Sequence, residues 1–463
     1  MSSGAEAGRR STAQASPARV AAFAALRRVR SSGARLDESL ASLPELGTLD
    51  PRDRGLANEL ITGTVKRRGS IDAVLGAFTK APLRDADPDV RDALRLAAFQ
   101  LLFLDRVPAY AVVDDAVAMV SRKGRKRGGF VNAVLRRVAA DGRAKLAELG
   151  EGPDTRAWSV RLSYAPWLVK LVRRDLGDAA AERYLAAANA PPERCLRVNP
   201  LRGGMPAARV TLAEAGYTTK GVSGLPDALL YEGPPLEPSV PFKDGLVTPQ
   251  SRGSQIAGLV AAAGVSEPAA AVLDLCAAPG AKTSQLAALL PGARLTAVEL
   301  DEERAGELRR NLERLGAPGV EVVPGDVLHL PASYDQAYDA VLLDAPCSGL
   351  GTLASRADVR WRRRAADVPR LGELQKRLLK RAAATVKPGG ALTYAVCTVT
   401  RAETLDVVAT LLRLEGWAAD DLGAVWPHLA HPAAGGYLLV LPPDGGSSAF
   451  FIARFRRGEA AGR

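Results

Sequence analysis

The sequence predicts a multidomain chain with an all-α domain first, a small α/β connector next and a doubly wound, Rossmann-like α/β domain last. Three observations lead there. The 463 residues suit about three compact units at ~150 residues each. Apolar residues recur at helical spacing from Ala18 to about Leu146, then give way from about residue 270 to short β-branched or Leu-rich runs alternating with amphipathic stretches. With 47% hydrophobic and 24% charged residues, the composition supports real cores and excludes a chain dominated by disorder or coiled coil.

Residues 1–16 are small and polar, with Arg9 and Arg10 but no apolar segment, so they read as a disordered tail rather than a signal peptide. Residues 17–145 form the helical domain. Its apolar stripes include Val20, Phe23, Ala24 and Leu26, then Leu94, Ala97, Ala98, Leu101 and Leu102. Breaks at Pro51, Pro82, Pro88 and Pro108 divide it into five to seven helices, the last opening near Gly129 to Arg137. The connector, 146–240, holds helices from Trp167 to Leu176 and Ala179 to Ala188, a Pro-rich passage at Asn189 to Pro192, and a strand at Leu196 to Asn199. In the last domain, 241–460, strands are expected at Val272–Leu275, Leu295–Leu300, Val320–Val323, Ala340–Leu343 and Ala391–Cys397. Helices should occupy 283–290, 302–315, 370–386 and 401–414, and Tyr437–Leu441 with Phe450–Phe455 close the sheet as an antiparallel hairpin. Such alternation gives a mostly parallel sheet whose ligands sit at the carboxyl ends of the strands.

The net charge is +11, and most of the excess lies in residues 1–150, which hold 26 basic and 17 acidic side chains. Arg122, Lys123, Arg125, Lys126 and Arg127 make one dense run. A second spans 356–381, with ten basic residues, among them Arg356, Arg360, Arg362 and Arg363, against three acids. A polyanion such as RNA is the natural partner, and these nine residues are the candidate contacts. Phosphate contacts alone do not say which nucleic acid is bound. Cys195, Cys276, Cys347 and Cys397 lack the paired spacings of a zinc site or disulfide framework, which fits a reducing cytoplasm. With His329, His428 and His431 as the whole histidine complement, no metal is expected. No membrane partner is expected either, because Ser266-Glu267-Pro268 interrupts the most apolar region.

The first strand of the last domain runs into Cys276-Ala277-Ala278-Pro279-Gly280-Ala281-Lys282, a tight turn of small residues ahead of a helix. Such a turn lets backbone N–H groups approach a nucleotide. It is neither G-x-G-x-x-G nor a Walker loop, which disfavours dinucleotide oxidoreductases and P-loop enzymes. Glu299 ends the second strand, where a carboxylate can accept both hydroxyls of a ribose. Asp326 ends the third, where it can accept from an adenine amino group. One acid per successive strand end makes adenosine a coherent ligand.

Strand four delivers Asp344-Ala345-Pro346-Cys347-Ser348-Gly349, and strand five delivers Cys397, so two cysteines reach adjacent strand ends. This pairing suggests chemistry at carbon 5 of a pyrimidine, which is too weak a nucleophile to attack a methyl sulfonium unaided. A thiolate adding to carbon 6 creates an enamine whose carbon 5 can attack, after which the proton and the thiol leave. A cysteine is mostly thiol at neutral pH, so the site must favour the thiolate. Asp344 could hydrogen-bond the cytosine N3–N4 edge. Spacing alone does not rank the two cysteines.

Four segments, Cys276 to Lys282, Asp344 to Gly349, Arg356 to Trp361 and Tyr394 to Thr398, resemble the successive motifs of the NOL/NOP/Sun family of RNA 5-methylcytosine methyltransferases. Residues 17–145 resemble the NusB-like RNA-binding fold at Leu56-Ala57, Gly63-Thr64, Ala109 to Val117 and Gly129 to Arg137. A NusB-like domain ahead of such motifs is similar to bacterial 16S rRNA cytosine-5 methyltransferases. The resemblance implies a class I fold, S-adenosyl-L-methionine as cofactor, Cys397 as nucleophile and Cys347 as the residue that assists product release. It also implies that 276–282, Glu299, Asp326 and Asp344 line the cofactor site. Three positions depart from the family pattern: Ala281 replaces a glycine, Glu299 replaces a common aspartate, and Val396-Cys397-Thr398 replaces Thr-Cys-Ser. Glu299 can still chelate a ribose, while Ala281 bears on loop geometry if that position needs positive φ. The expected protein is a monomeric enzyme acting on 16S rRNA. The same chemistry on tRNA or another RNA, and a non-catalytic RNA-binding or antitermination factor, stand as alternatives.

Overall fold

The computed structural model describes residues 15–33, 35–41, 43–121, 125–444 and 446–459. Most of the expected N-terminal tail, and Arg122 and Lys123, lie outside these residues. Two compact units emerge: residues 1–170 with 356–361, and residues 171–355 with 362–463.

The first unit is helical. It contains α1 (Pro17–Ser32), α2 (Leu36–Ala41), α3 (Pro44–Gly47), α4 (Pro51–Lys66), α5 (Arg68–Phe78), α6 (Pro88–Phe103), α7 (Ala109–Ser121), α8 (Arg125–Leu149) and α9 (Thr155–Leu162). Pro51 and Pro88 begin helices, where a missing N–H costs nothing, and each follows an aspartate cap. Asp50 accepts from the Asp53 N–H, and Asp87 from those of Asp89 and Val90. Leu60, Ile61, Ile71, Leu75, Leu94 and Leu135 fill the core, each fully buried. One expectation needs correction. The helices through Leu149 number eight among the described residues, because α2 and α3, of six and four residues, are too short for periodicity to register. α8 runs unbroken past residue 145, and α9 packs on α5.

The second unit opens with α10 (Pro166–Leu176), whose first residues belong to the helical unit, and α11 (Asp178–Ala187). An antiparallel sheet follows, in the order β2-β3-β1-β4, made of β1 (Cys195–Val198), β2 (Thr218–Val222), β3 (Leu225–Glu232) and β4 (Val247–Pro249). It is covered by α12 (Gly204–Glu214) and followed, before β4, by the short α13 (Val240–Lys243). Because β4 pairs with β1 through Val247 and Val198, the connector reaches beyond residue 240.

After α14 (Arg252–Ala262) comes the main sheet. Its parallel members are β5 (Ala271–Leu275), β6 (Arg294–Glu299), β7 (Glu321–Pro324), β8 (Tyr338–Asp344) and β9 (Val386–Val396). Between them run α15 (Ala281–Leu289), α16 (Glu302–Arg314), α17 (Val359–Arg362) and α18 (Asp367–Thr385). The chain closes with α19 (Leu405–Leu411), β10 (Trp417–Ala419), α20 (Leu422–Val425), β11 (Ala430–His431), β12 (Ala434–Val440) and β13 (Phe450–Arg457). The sheet order β11-β12-β13-β9-β8-β5-β6-β7 confirms the doubly wound class, with the antiparallel closing hairpin where expected. The winding reverses between β5 and β8, so the crevice for a ligand opens at their carboxyl ends. The expected helix 401–414 is instead a 3-10 turn at Arg401–Glu403 followed by α19, because Thr404 (φ −122°, ψ −95°) leaves helical geometry.

Candidate active site

The loop after β5 is built to approach a ligand closely. Cys276 (φ 61°) and Gly280 (φ 100°) turn the chain, and a Cβ at Gly280 would meet Leu308 Cδ1 at 2.6 Å. Ala281 begins α15 in ordinary helical geometry, so its replacement of a glycine does not disturb the turn. Glu299, at the end of β6 and buried, accepts the Ala278 N–H through Oε2 (3.1 Å) and Arg304 Nη1 through Oε1 (3.1 Å). Arg304 Nη2 donates to Ala278 O (3.1 Å) and Asn311 Nδ2 to Pro279 O (3.0 Å), which fixes the loop from the side of α16. Arg197 of β1, also buried, donates to Ser284 Oγ (2.8 Å) and Gln250 Oε1 (2.7 Å). It secures the first turn of α15, and burial draws its pKa down to about 10.

Beneath the loop, Thr283 Oγ1 donates to Asp274 Oδ2 (2.6 Å), while Asp274 Oδ1 is buried with no hydrogen-bond partner. Burial pushes the Asp274 carboxyl up to about 7, against the lowering effect of Thr283. Burial likewise pushes the Cys276 thiol far up, so Cys276 stays protonated. Asp326 caps the turn after β7, accepting from the Leu328 N–H (2.9 Å) and meeting His329 Nδ1 at 2.8 Å.

At the end of β8, Asp344 Oδ2 lies 2.6 Å from Lys282 Nζ. Burial works against the lysine's charge, but the charge and hydrogen bond of Asp344, with Asp274 and Cys397 beyond, outweigh it and lift its pKa. Cys347 Sγ and Cys397 Sγ are 3.3 Å apart. The hydrogen bond to Cys397, burial, and the charges of Cys397 and Glu403 all push the Cys347 thiol up. The close approach has a backbone basis: the Gly351 N–H donates to Cys397 O (2.8 Å), and a Cβ at Gly351 would meet that oxygen at 2.8 Å.

The structure thus brings 276–282, Glu299, Asp344, Cys347 and Cys397 to neighbouring strand ends, with Asp326 one strand further out. The basic residues do not form one set. Lys126 and Arg356 are exposed, Arg127 pairs with Asp87 (3.0 Å), and Arg125 opens α8. Arg362 is exposed, while Arg363 donates to Ser348 O (2.8 Å) and Cys347 O (3.2 Å). Arg360 is a correction: it is fully buried, donates to Lys66 O (3.1 Å) and lies over the Tyr164 ring, so it cannot reach RNA. Sequence reasoning missed Glu403, Arg197 and Arg304. Glu403 is wholly buried behind the cysteine loops, and reading 401–414 as one helix hid it.

Residues 265–456 match the family described as 16S rRNA methyltransferase RsmB/F. Residues 16–140 match the NusB family, and residues 164–236 the ferredoxin-like domain of RsmF/B-like methyltransferases. A methyltransferase of Mycobacterium tuberculosis is 35% identical over 456 residues, covering 95% of this chain and 96% of that protein. Ribosomal RNA small subunit methyltransferase B of Xanthomonas campestris is 36% identical over 426 residues, 89% of this chain and 91% of its own. Among solved structures, a methyltransferase homologue from Pyrococcus horikoshii superposes with a TM-score of 0.56 at 28% identity, covering 66% of this chain and all of that one.

Proposed function

Since the chain belongs to the RsmB/F family of 16S rRNA methyltransferases, we propose that it methylates carbon 5 of a cytosine in 16S rRNA through a transient bond from Cys397 Sγ to carbon 6. The observation that carries this reading is the 3.3 Å approach of Cys347 and Cys397 beside the Lys282–Asp344 pair.

The methyl donor is S-adenosyl-L-methionine, which supplies an electrophilic methyl on a sulfonium. The residues present suit it. Glu299 offers a buried carboxylate whose Oε2 keeps an acceptor site beside the Ala278 N–H for a ribose hydroxyl, and the unpartnered Asp274 Oδ1 leaves an acceptor for a cationic ligand. The 276–282 loop would lie along the ligand, with Asp326 at its adenine end.

The chain's own residues would then act in sequence. Lys282 lends positive charge to a Cys397 thiolate, the attraction that helps the lysine keep its proton. Cys397 Sγ adds to carbon 6, and the ring electrons move to carbon 5. Asp344, held by Lys282, accepts from the N4 amino group and fixes the ring edge, while the Lys282 ammonium beside it stabilises the negative charge that develops on the ring. Carbon 5 takes the methyl and gives its proton to solvent water in the crevice; the C–H electron pair reforms the ring double bond, and the Cys397–C6 bond breaks with its pair returning to sulfur. Cys347, kept as a thiol, donates to the departing Cys397 sulfur. The target base leaves its stack to reach the cysteines, and exposed basic residues such as Lys126, Arg356 and Arg362 hold the phosphates.

Bisulfite mapping of 16S rRNA from cells lacking the gene, complemented by wild type or Cys397→Ala, tests this. Wild type should restore one 5-methylcytosine and Cys397→Ala none. A modified site restored by Cys397→Ala, or one confined to tRNA, overturns the proposal.

A further inference from the structure

Behind the two cysteines lies a carboxylate that the methyl-transfer scheme does not use. Glu403 has no exposed surface and receives five hydrogen bonds. Its Oε1 accepts from Ser348 N (2.7 Å) and Gln375 Nε2 (3.2 Å), and its Oε2 from Ser348 Oγ (2.6 Å), Thr398 Oγ1 (3.1 Å) and Thr400 Oγ1 (2.8 Å). All five donors are neutral. Ser348 follows Cys347 directly and Thr398 follows Cys397 directly, so one carboxylate grips both cysteine loops at the next residue. Gln375, on α18, also donates to Pro346 O (2.9 Å), which anchors the other side of Cys347. The Tyr394 hydroxyl donates to Glu403 O (2.8 Å) and pins the turn itself.

We propose that Glu403 is a positioning residue for the methyl-transfer site: its carboxylate clamps the Cys347 and Cys397 loops at their working separation and presents negative charge to Cys347, so that Cys347 remains the donor of the pair. This rests on the reading of Cys397 as nucleophile. Two loops from different strands meet at a sulfur–sulfur contact only if something fixes them both, and Ser348 and Thr398 are themselves 3.0 Å apart across the clamp. A buried carboxylate is costly unless its oxygens are satisfied. Here the satisfying groups are those that flank the reacting atoms. The direction of the Cys347 shift agrees, since the Glu403 charge is among its causes after the Cys397 hydrogen bond, burial and the Cys397 charge.

The test compares wild type with Glu403→Gln, which keeps the shape but replaces an acceptor oxygen with a donor that faces donors. The first readout is the rate of covalent complex formation with a 16S rRNA fragment carrying 5-fluorocytidine, from which the carbon 5 fluorine cannot leave as a proton does. Displacement of reacting groups by about 1 Å costs on the order of 100-fold, so a loss approaching that is expected, with S-adenosylhomocysteine binding unchanged. The second readout is the pH dependence of Cys347 alkylation by iodoacetamide, measured with and without Glu403→Gln in a Cys397→Ser background. Removing the charge should move that titration to lower pH. A covalent complex formed at the wild-type rate overturns the proposal, and so does a slow rate with an unmoved titration, the mark of a merely structural residue. If Glu403→Gln does not fold, Thr400→Val removes a single donor and should still slow complex formation; a wild-type rate there overturns the proposal as well. Should wild type itself form no complex, the Cys397 reading fails, and with it the clamp's catalytic role, whereas the alkylation titration independently reports the charge felt at Cys347.

Discussion

Replacing Cys347 with alanine should convert a turnover enzyme into one that stalls as a protein–RNA conjugate. In the resting site the Cys347 thiol lies 3.3 Å from Cys397 Sγ and is held protonated by that hydrogen bond, by burial and by neighbouring negative charge. When the Cys397–C6 bond breaks, sulfur leaves as a thiolate, and a donor at this distance stabilises the charge as it forms. Hydrogen bonds to charged groups contribute about 1.5–3 kcal/mol, and a thiol is a weak donor, so the lower half of that range applies. At ~1.36 kcal/mol per factor of ten, a loss of about 1.5–2 kcal/mol slows elimination by about 10- to 30-fold. Addition to carbon 6 should suffer less, because Lys282 still attracts the Cys397 thiolate.

The assay is single-turnover reaction with end-labelled RNA, quenched in detergent and resolved by mass. Cys347→Ala should show a long-lived slow-migrating band, and the double variant with Cys397→Ala should show none, which identifies the bonded sulfur. Turnover within threefold of wild type and no conjugate would refute the assignment of Cys347 to product release.

Asp344→Asn leaves Lys282 buried without its carboxylate and removes the group facing the ring edge; kcat should fall about 10²- to 10³-fold, and a loss below tenfold contradicts the role. Asp274 has its folded-state pKa raised from 3.8 to about 7, so folding takes up a proton between those values. The stability it lends is whole below pH ~4 and is lost as pH rises through ~7, amounting to about 4 kcal/mol. Melting curves of wild type and Asp274→Asn should therefore converge or cross over that window; parallel profiles refute the shift. Arg360→Ala should lower the melting temperature by breaking the bond to Lys66 O and the packing on Tyr164, yet leave the salt dependence of RNA binding unchanged. Lys126→Ala should do the reverse, reducing the slope of log affinity against log salt by roughly 0.7–0.9. A reduced slope for Arg360→Ala, measured by filter binding across a salt series, contradicts its burial.

Strands β5, β6, β8 and β9 of the main sheet were legible because each carries a buried apolar run bounded by turns, whereas β10 and β11, of three and two residues, are too short to register. Leu273, Leu275, Val298, Val341 and Leu343 have essentially no exposed surface, and that is the pattern a two-sided parallel sheet demands. The 276–282 loop was legible from its small residues, and the acids from their places at strand ends. Charge, in contrast, says nothing about burial. Arg360 stands in a basic run whose sequence looks solvated, yet it fills a slot between Lys66 and Tyr164. Glu403 failed for the opposite reason: a lone acid in a stretch with helical periodicity looks like a solvated helix face. Its meaning depends on Ser348 and Gln375, which lie 55 and 28 residues away.

The ranking of the cysteines needed family resemblance, but their meeting follows from strand register. β8 and β9 pair in parallel with Asp344 opposite Ala395, and the Ala345 N–H donates to Ala395 O at 3.1 Å. Cys347 comes three residues beyond one partner and Cys397 two beyond the other, so both sulfurs emerge at the same level of the crevice. A slip of one residue in this pairing would turn alternate side chains to the opposite face of the sheet. It would carry Asp344 from Lys282 and part the two sulfurs together. The buried runs Val341 to Leu343 and Leu392 to Val396 make that slip costly, because it exchanges their side chains between two cores packed for other shapes, putting Leu342 where Val341 and Leu343 sit and Ala395 where Tyr394 and Val396 sit. The apolar pattern that stabilises the sheet is therefore also what holds the reacting groups in register.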